Sequence, residues 1–136
     1  MSFDWREFFL LAHQLRNETE EGKQRTSIGR AYYYAYNAAL IEAKNRGFNP
    51  KARSRRDRGV HQKLWSWYLR QAGNQDLVIL GDSGNTLKGR RTDADYHVAP
   101  QTPITPQLVQ KQLDETRDFE LLLAKVAQTT PPPTLT

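Results

Sequence analysis

An all-α domain, a bundle of four or five helices, is what this chain predicts, and three features carry that expectation. Apolar residues recur at spacings of three and four in five separate stretches. No stretch alternates apolar and polar residues as a half-buried strand would, and no internal repeat is present. One long stretch, Arg25 to Phe48 (RTSIGRAYYYAYNAALIEAKNRGF), is apolar and aromatic on more than one side. A helix of that kind is central, contacted by several others.

Ser2 to Asn17 reads as the first helix, capped by Ser2 or Asp4, with Phe3, Phe8, Leu11, Ala12 and Leu15 on one face and Trp5 and Phe9 beside them. The polar link Asn17 to Lys23 is either a turn or the exposed start of the second helix. In the central helix, Tyr32, Tyr36, Ala39 and Ala43 form a stripe, with Ile28, Ala35 and Ala38 close to it and Tyr33 and Ile41 widening it. Its tyrosines fill volume, and their hydroxyls need partners. Gly47, following Lys44 and Arg46, is a C-terminal stop.

The next stretch, Asn49 to Gly59 (NPKARSRRDRG), has no large apolar residue and predicts an exposed loop. Lys51, Arg53, Arg55, Arg56 and Arg58 stand there against the single acid Asp57. Such a loop either contacts phosphate, with strong salt dependence, or is merely solvated. Val60 to Ala72 reads as the third helix, with Val60, Leu64, Trp67 and Tyr68 on one face, broadened by Trp65 and Leu69, and Gly73-Asn74 as its stop.

Gln75 to Tyr96 sets two rules against each other. Gly81, Gly84 and Gly89 disfavour a helix. Leu77, Leu80, Gly84, Leu87, Arg91 and Ala94 nevertheless keep a helical stripe, on which glycine permits close contact. The expectation is a helix, the alternative a break over residues 81–85. Pro100, Pro103 and Pro106 mark an extended connector, and Thr105 with Pro106 opens the last helix. Leu108, Val109, Leu113, Phe119, Leu122, Leu123 and Val126 give its buried side. Residues 1–127 make one domain, and residues 128–136, a proline-rich tail, predict disorder.

The 136 residues suffice for one domain with a core of its own. The absence of cysteine excludes disulfides and thiolate metal sites. The start MSFDWREFF lacks the apolar core of a signal peptide, and no apolar run is long enough for a membrane span, so a cytoplasmic protein is expected. The net charge of +5 and pI of about 9.6 favour an anionic partner, nucleic acid first. His13, His61 and His97 have no metal-ligand spacing, the glycines form no phosphate loop, and no serine or cysteine nucleophile set is visible, so neither metal nor cofactor is expected.

Arg25-Thr26-Ser27-Ile28-Gly29-Arg30-Ala31-Tyr32-Tyr33, followed by Ala35 and Tyr36, resembles the helix signature of HEPN domains (higher eukaryotes and prokaryotes nucleotide-binding). Arg91-Thr92-Asp93-Ala94-Asp95-Tyr96 resembles the arginine, two variable residues and Ala-Asp-Tyr of small prokaryotic members. Between them, His61 matches a histidine that often opens the third helix, and Trp5 with Phe8 to Ala12 is similar to the first helix. The resemblance spans roughly residues 3–126. Gly29 departs from it, since serine or alanine is more usual there, as does the basic loop before His61.

The resemblance implies an antiparallel helical bundle, usually a homodimer. It implies either a metal-independent endoribonuclease, a toxin or defence component paired with a nucleotidyltransferase antitoxin, or a non-catalytic module that binds such a partner, a nucleotide or RNA, with tRNA as a candidate. Active members carry an arginine, four to six variable residues and a histidine. Arg91 and His97 meet that spacing and follow the expected motif, with Asp95 and Tyr96 as orienting residues; Arg56 and His61 are the second choice. Tyr96 matches the position of a tyrosine that some antitoxins modify with AMP, although in those toxins it follows the histidine and here it precedes it.

Histidine titrates near neutral pH and serves as base or acid toward a ribose 2′-hydroxyl and a departing 5′-oxygen, while arginine grips the phosphate. On one unbroken helix, six positions turn through about 600°, so Arg91 and His97 point apart unless the helix ends near Tyr96 or a dimer joins two copies. Arg91 and Asp95, four apart, read equally well as a structural ion pair. His61 equally suits capping or packing at a helix start.

Overall fold

The computed structural model describes residues 4–51 and 59–129, and the description below is confined to them. Five helices follow in order: α1 (Glu7–Leu15), α2 (Glu21–Asn45), α3 (Val60–Leu69), α4 (Gln75–Tyr96) and α5 (Pro106–Ala127), with no strand among the described residues. The chain is all-α, and α2 packs against each of the other four.

Contacts between named residues give the helix directions. Ala12 and Phe8 meet Ser27 and Tyr33, and Arg25 and Tyr33 meet Val98 and Arg91. So α2 runs antiparallel to α1 and α4. Tyr32 meets His61 while Ala39 meets Tyr68, so α3 runs along α2 in the same direction. Most of the basic loop expected between these two helices falls at residues 52–58. Those residues lie outside the described part, as do residues 130–136 of the tail.

Helix ends follow local chemistry. Helix α2 starts four residues before Arg25, so the end of the acidic link joins it. It stops in a Schellman arrangement: Gly47 takes φ +100°, and the Phe48 N–H reaches the Ala43 carbonyl at 2.9 Å. Asn74 caps α4 through Leu77 N at 3.3 Å, and Thr105 caps α5 through Leu108 N at 3.1 Å, with Pro106 in the first turn.

Boundaries differ from expectation at both ends of α1, which stops at Leu15 rather than Asn17, and at the ends of α2 and α3. Helix α1 begins only at Glu7, because Asp4 spends its carboxylate on the Arg6 N–H and forms a turn instead of a cap. Helix α2 ends at Asn45, short of Phe48, because the Schellman turn closes it. Helix α3 ends at Leu69 rather than Ala72, before the turn that leads to Asn74.

Helix α4 is unbroken. A Cβ at Gly84 would stand 2.3 Å from the Trp65 ring, and one at Gly81 would stand 2.9 Å from Tyr68 Cβ and 3.0 Å from Leu69 N. The helix penalty of these two glycines is offset by the approach they allow between α3 and α4. Trp65, Tyr68, Tyr32, Leu80 and Leu87 are fully buried in the larger core, and a second cluster, with Phe9, Ala12, Ile28, Val109 and Leu113, closes the α1 end. Ile41, Leu11 and Leu69, expected to be apolar contacts, are 48%, 37% and 40% exposed, since no described helix covers those sides. Among the described residues, no helix is long and apolar enough to cross a membrane.

Candidate phosphate-binding site at the α2–α4 face

The α4 stripe turns Arg91 toward α2. Its side chain is 15% exposed, with Nε 2.9 Å from Asp95 Oδ2. One terminal nitrogen donates to the Tyr33 hydroxyl, and the guanidinium lies 5.0 Å from the Tyr33 ring centre and 5.4 Å from that of Tyr96. The Arg91 Nε–H is not aimed at the Asp95 oxygen and has no hydrogen-bond acceptor among the described residues. Burial works against the charge of Arg91, but Tyr33, Asp95 and Tyr96 outweigh it and hold the group protonated. The structural ion pair of Arg91 with Asp95 is thus present, and Tyr96 is 67% exposed with one face on the arginine.

His97 does not join this group. Helix α4 ends at Tyr96 and His97 takes extended backbone, yet its ring turns back by one helical turn, with Nδ1 2.7 Å from Asp93 Oδ1. No contact with Arg91 is made within the chain, although the helix does end at Tyr96, the condition under which the two were expected to be able to converge. The reason is helical geometry: Asp93 lies two positions beyond Arg91, about 200° around α4. The pairing does orient His97. A carboxylate on Nδ1–H leaves Nε2 as the free ring nitrogen, on a side chain 54% exposed.

His61 sits in a different setting. The Trp65 indole N–H, which can only donate, reaches the Tyr32 hydroxyl at 3.0 Å. The Tyr32 proton is then free for His61 Nδ1 at 2.7 Å, so the imidazole accepts there and carries its own proton on Nε2. The ring stacks on Tyr36 at 3.9 Å. Burial first, then the charges of Arg91 and Lys88, push His61 down to about 4. It is neutral at pH 7 and packed at the start of α3. Arg56, its partner in the second-choice pair, lies outside the described residues, as do Arg53, Arg55 and Arg58; Lys51 is exposed, with its backbone N–H on Asn49 Oδ1 at 3.0 Å.

Two clefts flank Asp95. One of about 220 Å³ is lined by Thr26, Gly29, Arg30, Tyr33 and Asp95. The other, of about 320 Å³, runs over Glu21, Arg25, Asp95, Tyr96, His97 and Val98. Arg25 spans the second cleft and ties α2 to the end of α4, donating to the carbonyls of Asp93, Ala94, His97 and Val98 at 3.3, 3.0, 2.7 and 3.0 Å. The Ala94 carbonyl lies in the last turn of α4, where carbonyls lack the next helical N–H, while the Asp93 carbonyl also accepts from His97 N at 3.2 Å.

The sequence places Arg25, Arg30, Tyr33 and Asp93 in the resembled motifs, and Tyr33 in the apolar surface of the central helix, but gives none of them a part in the site. For Tyr33 a signal existed, since a tyrosine on a half-buried face needs a hydroxyl partner. For Asp93 the four-residue spacing to His97 was visible. No group of three histidine, aspartate or glutamate side chains among the described residues is placed to hold a metal ion. Comparison with known proteins finds no matching family model, no matching curated protein and no matching solved structure.

Proposed function

We propose that this chain is a non-catalytic HEPN-type helical module that binds a phosphate-bearing ligand, RNA in the first place, through the α2–α4 face. The observation that carries this reading is the separation of Arg91 from His97. Metal-free cleavage of a phosphodiester needs the cation and the proton-transfer group on one phosphate. Here Arg91 is tied to Tyr33 and Asp95, while His97 is held by Asp93 on another side of α4. His61, which shares the aromatic cluster with Arg91, has its Nδ1 occupied by Tyr32. The charge excess of the chain and the cations of residues 51–58 supply the attraction for an RNA backbone. A nucleotidyltransferase is the protein partner that the HEPN resemblance adds to this reading.

A second reading, a metal-independent endoribonuclease acting as a homodimer, is favoured by the Asp93–His97 pair. It leaves Nε2 exposed as a base, and a partner copy would have to supply the arginine.

The test is incubation of total tRNA and a generic single-stranded RNA in EDTA with wild type, His97→Ala and His61→Ala, beside binding measured at low and high salt. The module reading expects salt-sensitive binding with intact RNA. Cleavage lost in His97→Ala alone would replace it with the ribonuclease reading. Absence of both binding and cleavage would remove RNA from either.

A further inference from the structure

The smaller cleft has an unusual inventory of unused groups. Arg30 makes no hydrogen bond or ion pair among the described residues and is held only by its position over the Phe8 ring, 5.3 Å from the centre. The Tyr33 hydroxyl accepts from Arg91, and its own proton has no acceptor. Asp95 spends Oδ2 on Arg91, and its Oδ1 faces Gly29 without a hydrogen bond. The cleft thus offers a cation and a hydroxyl donor beside a carboxylate acceptor. Its floor is open because residue 29 has no side chain, where the resembled pattern has serine or alanine. A Cβ there would stand 3.5 Å from Asp95 Oδ1 and 3.9 Å from Arg91 Cγ, both ordinary contact distances. Alanine would therefore fit without strain and take its volume from the cleft.

We propose that this cleft is a binding site for a ribose phosphate, with the phosphate on Arg30 and the Tyr33 hydroxyl and the ribose 2′-hydroxyl donating to Asp95. The proposal deepens the phosphate-binding reading above and rests on it. An inorganic anion alone is a poor occupant, because Asp95 repels it and gains nothing in return. A ligand that carries both a negative charge and a hydroxyl donor satisfies both sides, and Asp95, held by Arg91 with its side chain 34% exposed, is a positioned acceptor that favours a ligand bearing the hydroxyl over an analogue that lacks it. About 220 Å³ is the room of roughly seven water molecules at about 30 Å³ each, a space for the sugar phosphate with the base left outside. Recognition is then indifferent to the base. The ribose phosphate can come from a free mononucleotide or from the end of an RNA chain.

The test follows the Thr26, Gly29 and Tyr33 backbone amide signals by NMR in the full chain. The probes are adenosine and uridine 5′-monophosphates, 2′-deoxyadenosine 5′-monophosphate, inorganic phosphate, and a 5′-phosphorylated octaribonucleotide beside its unphosphorylated form. Both ribonucleotides are expected to bind alike and at least tenfold more tightly than the deoxynucleotide or phosphate. Gly29→Ala, with an unchanged fold and a raised melting temperature, and Arg30→Gln are each expected to weaken that binding tenfold or more. Preference for the phosphorylated octamer over the mononucleotides assigns the site to RNA ends, and the reverse assigns it to free nucleotides.

Equal binding of ribo and deoxy forms, equal binding of phosphate, no binding by any probe, or full binding by Gly29→Ala would each overturn the proposal. Binding of long RNA by a wild type that binds none of these probes would overturn it while leaving the module reading intact. Mononucleotide binding by a protein that ignores long RNA would do the opposite.

Discussion

Two histidines of this chain follow an arginine, His61 with four residues between and His97 with five, and they end in opposite surroundings. His61 opens α3 under the wall of α2, locked to Tyr32 and stacked on Tyr36. His97 closes α4 in the open, paired only with Asp93 one turn back. At His61 the protein has spent the imidazole on its own stability. At His97 it has spent almost nothing, and the free Nε2 is the consequence. A motif spacing reports that two residue types are available; burial and hydrogen-bond direction decide which of them is available to a ligand.

This contrast can be broken in order of size. His61→Ala leaves the buried Tyr32 hydroxyl without its acceptor and removes the stack on Tyr36. It should cost about 2–4 kcal/mol in denaturant unfolding. A loss below about 1 kcal/mol would mean that His61 is not structural.

The pH dependence sharpens the same point. His61 is depressed from 6.5 to about 4 in the folded chain, so between those values the unfolded state binds a proton that the folded state refuses. Its contribution is fully present above about pH 6.5 and is lost as pH falls toward 4, by about 1.4 kcal/mol per pH unit. Carboxylates titrate over part of this range, so the measurement is the difference in slope between wild type and His61→Gln from pH 7 to 4. Identical slopes would place the His61 pKa near its ordinary value.

At the other end of the contrast the effects are small or reversed. Gly29→Ala should raise stability by about 0.5–1 kcal/mol, since a buried helical glycine with room for a methyl gives up only backbone entropy. A fall in melting temperature would mean that the cleft floor is tighter than these distances allow. His97→Ala should change stability by less than about 0.5 kcal/mol, the scale of an exposed ion pair. A loss approaching that of His61→Ala would erase the distinction between the two sites.

The helices were legible because each carries its own period and caps. The Thr105-Pro106 start of α5, the Gly47 stop of α2 and the glycine-bearing stripe of α4 are all local signals. Less legible were the exposures of Ile41, Leu11 and Leu69, which depend on whether a neighbour happens to cover that side. The site was half legible. Arg91, Asp95 and Tyr96 were named through the HEPN resemblance, and the ion pair of the first two followed from their four-residue spacing. Arg30 and Tyr33 could not, because they reach the site across the α2–α4 contact, more than sixty positions from Asp95 in the chain.

The sequence by itself therefore determined an all-α chain, the positions and ends of most of its helices, and a stripe that aims Arg91 at a neighbour. These rest on interactions within a few residues, which local spacing encodes. The tertiary structure alone decided that His61 is neutral and occupied, that His97 and Arg91 part company, and that Gly29 opens a cleft beside Asp95. Those outcomes depend on burial and on hydrogen-bond direction between helices, which exist only once α2, α3 and α4 have packed.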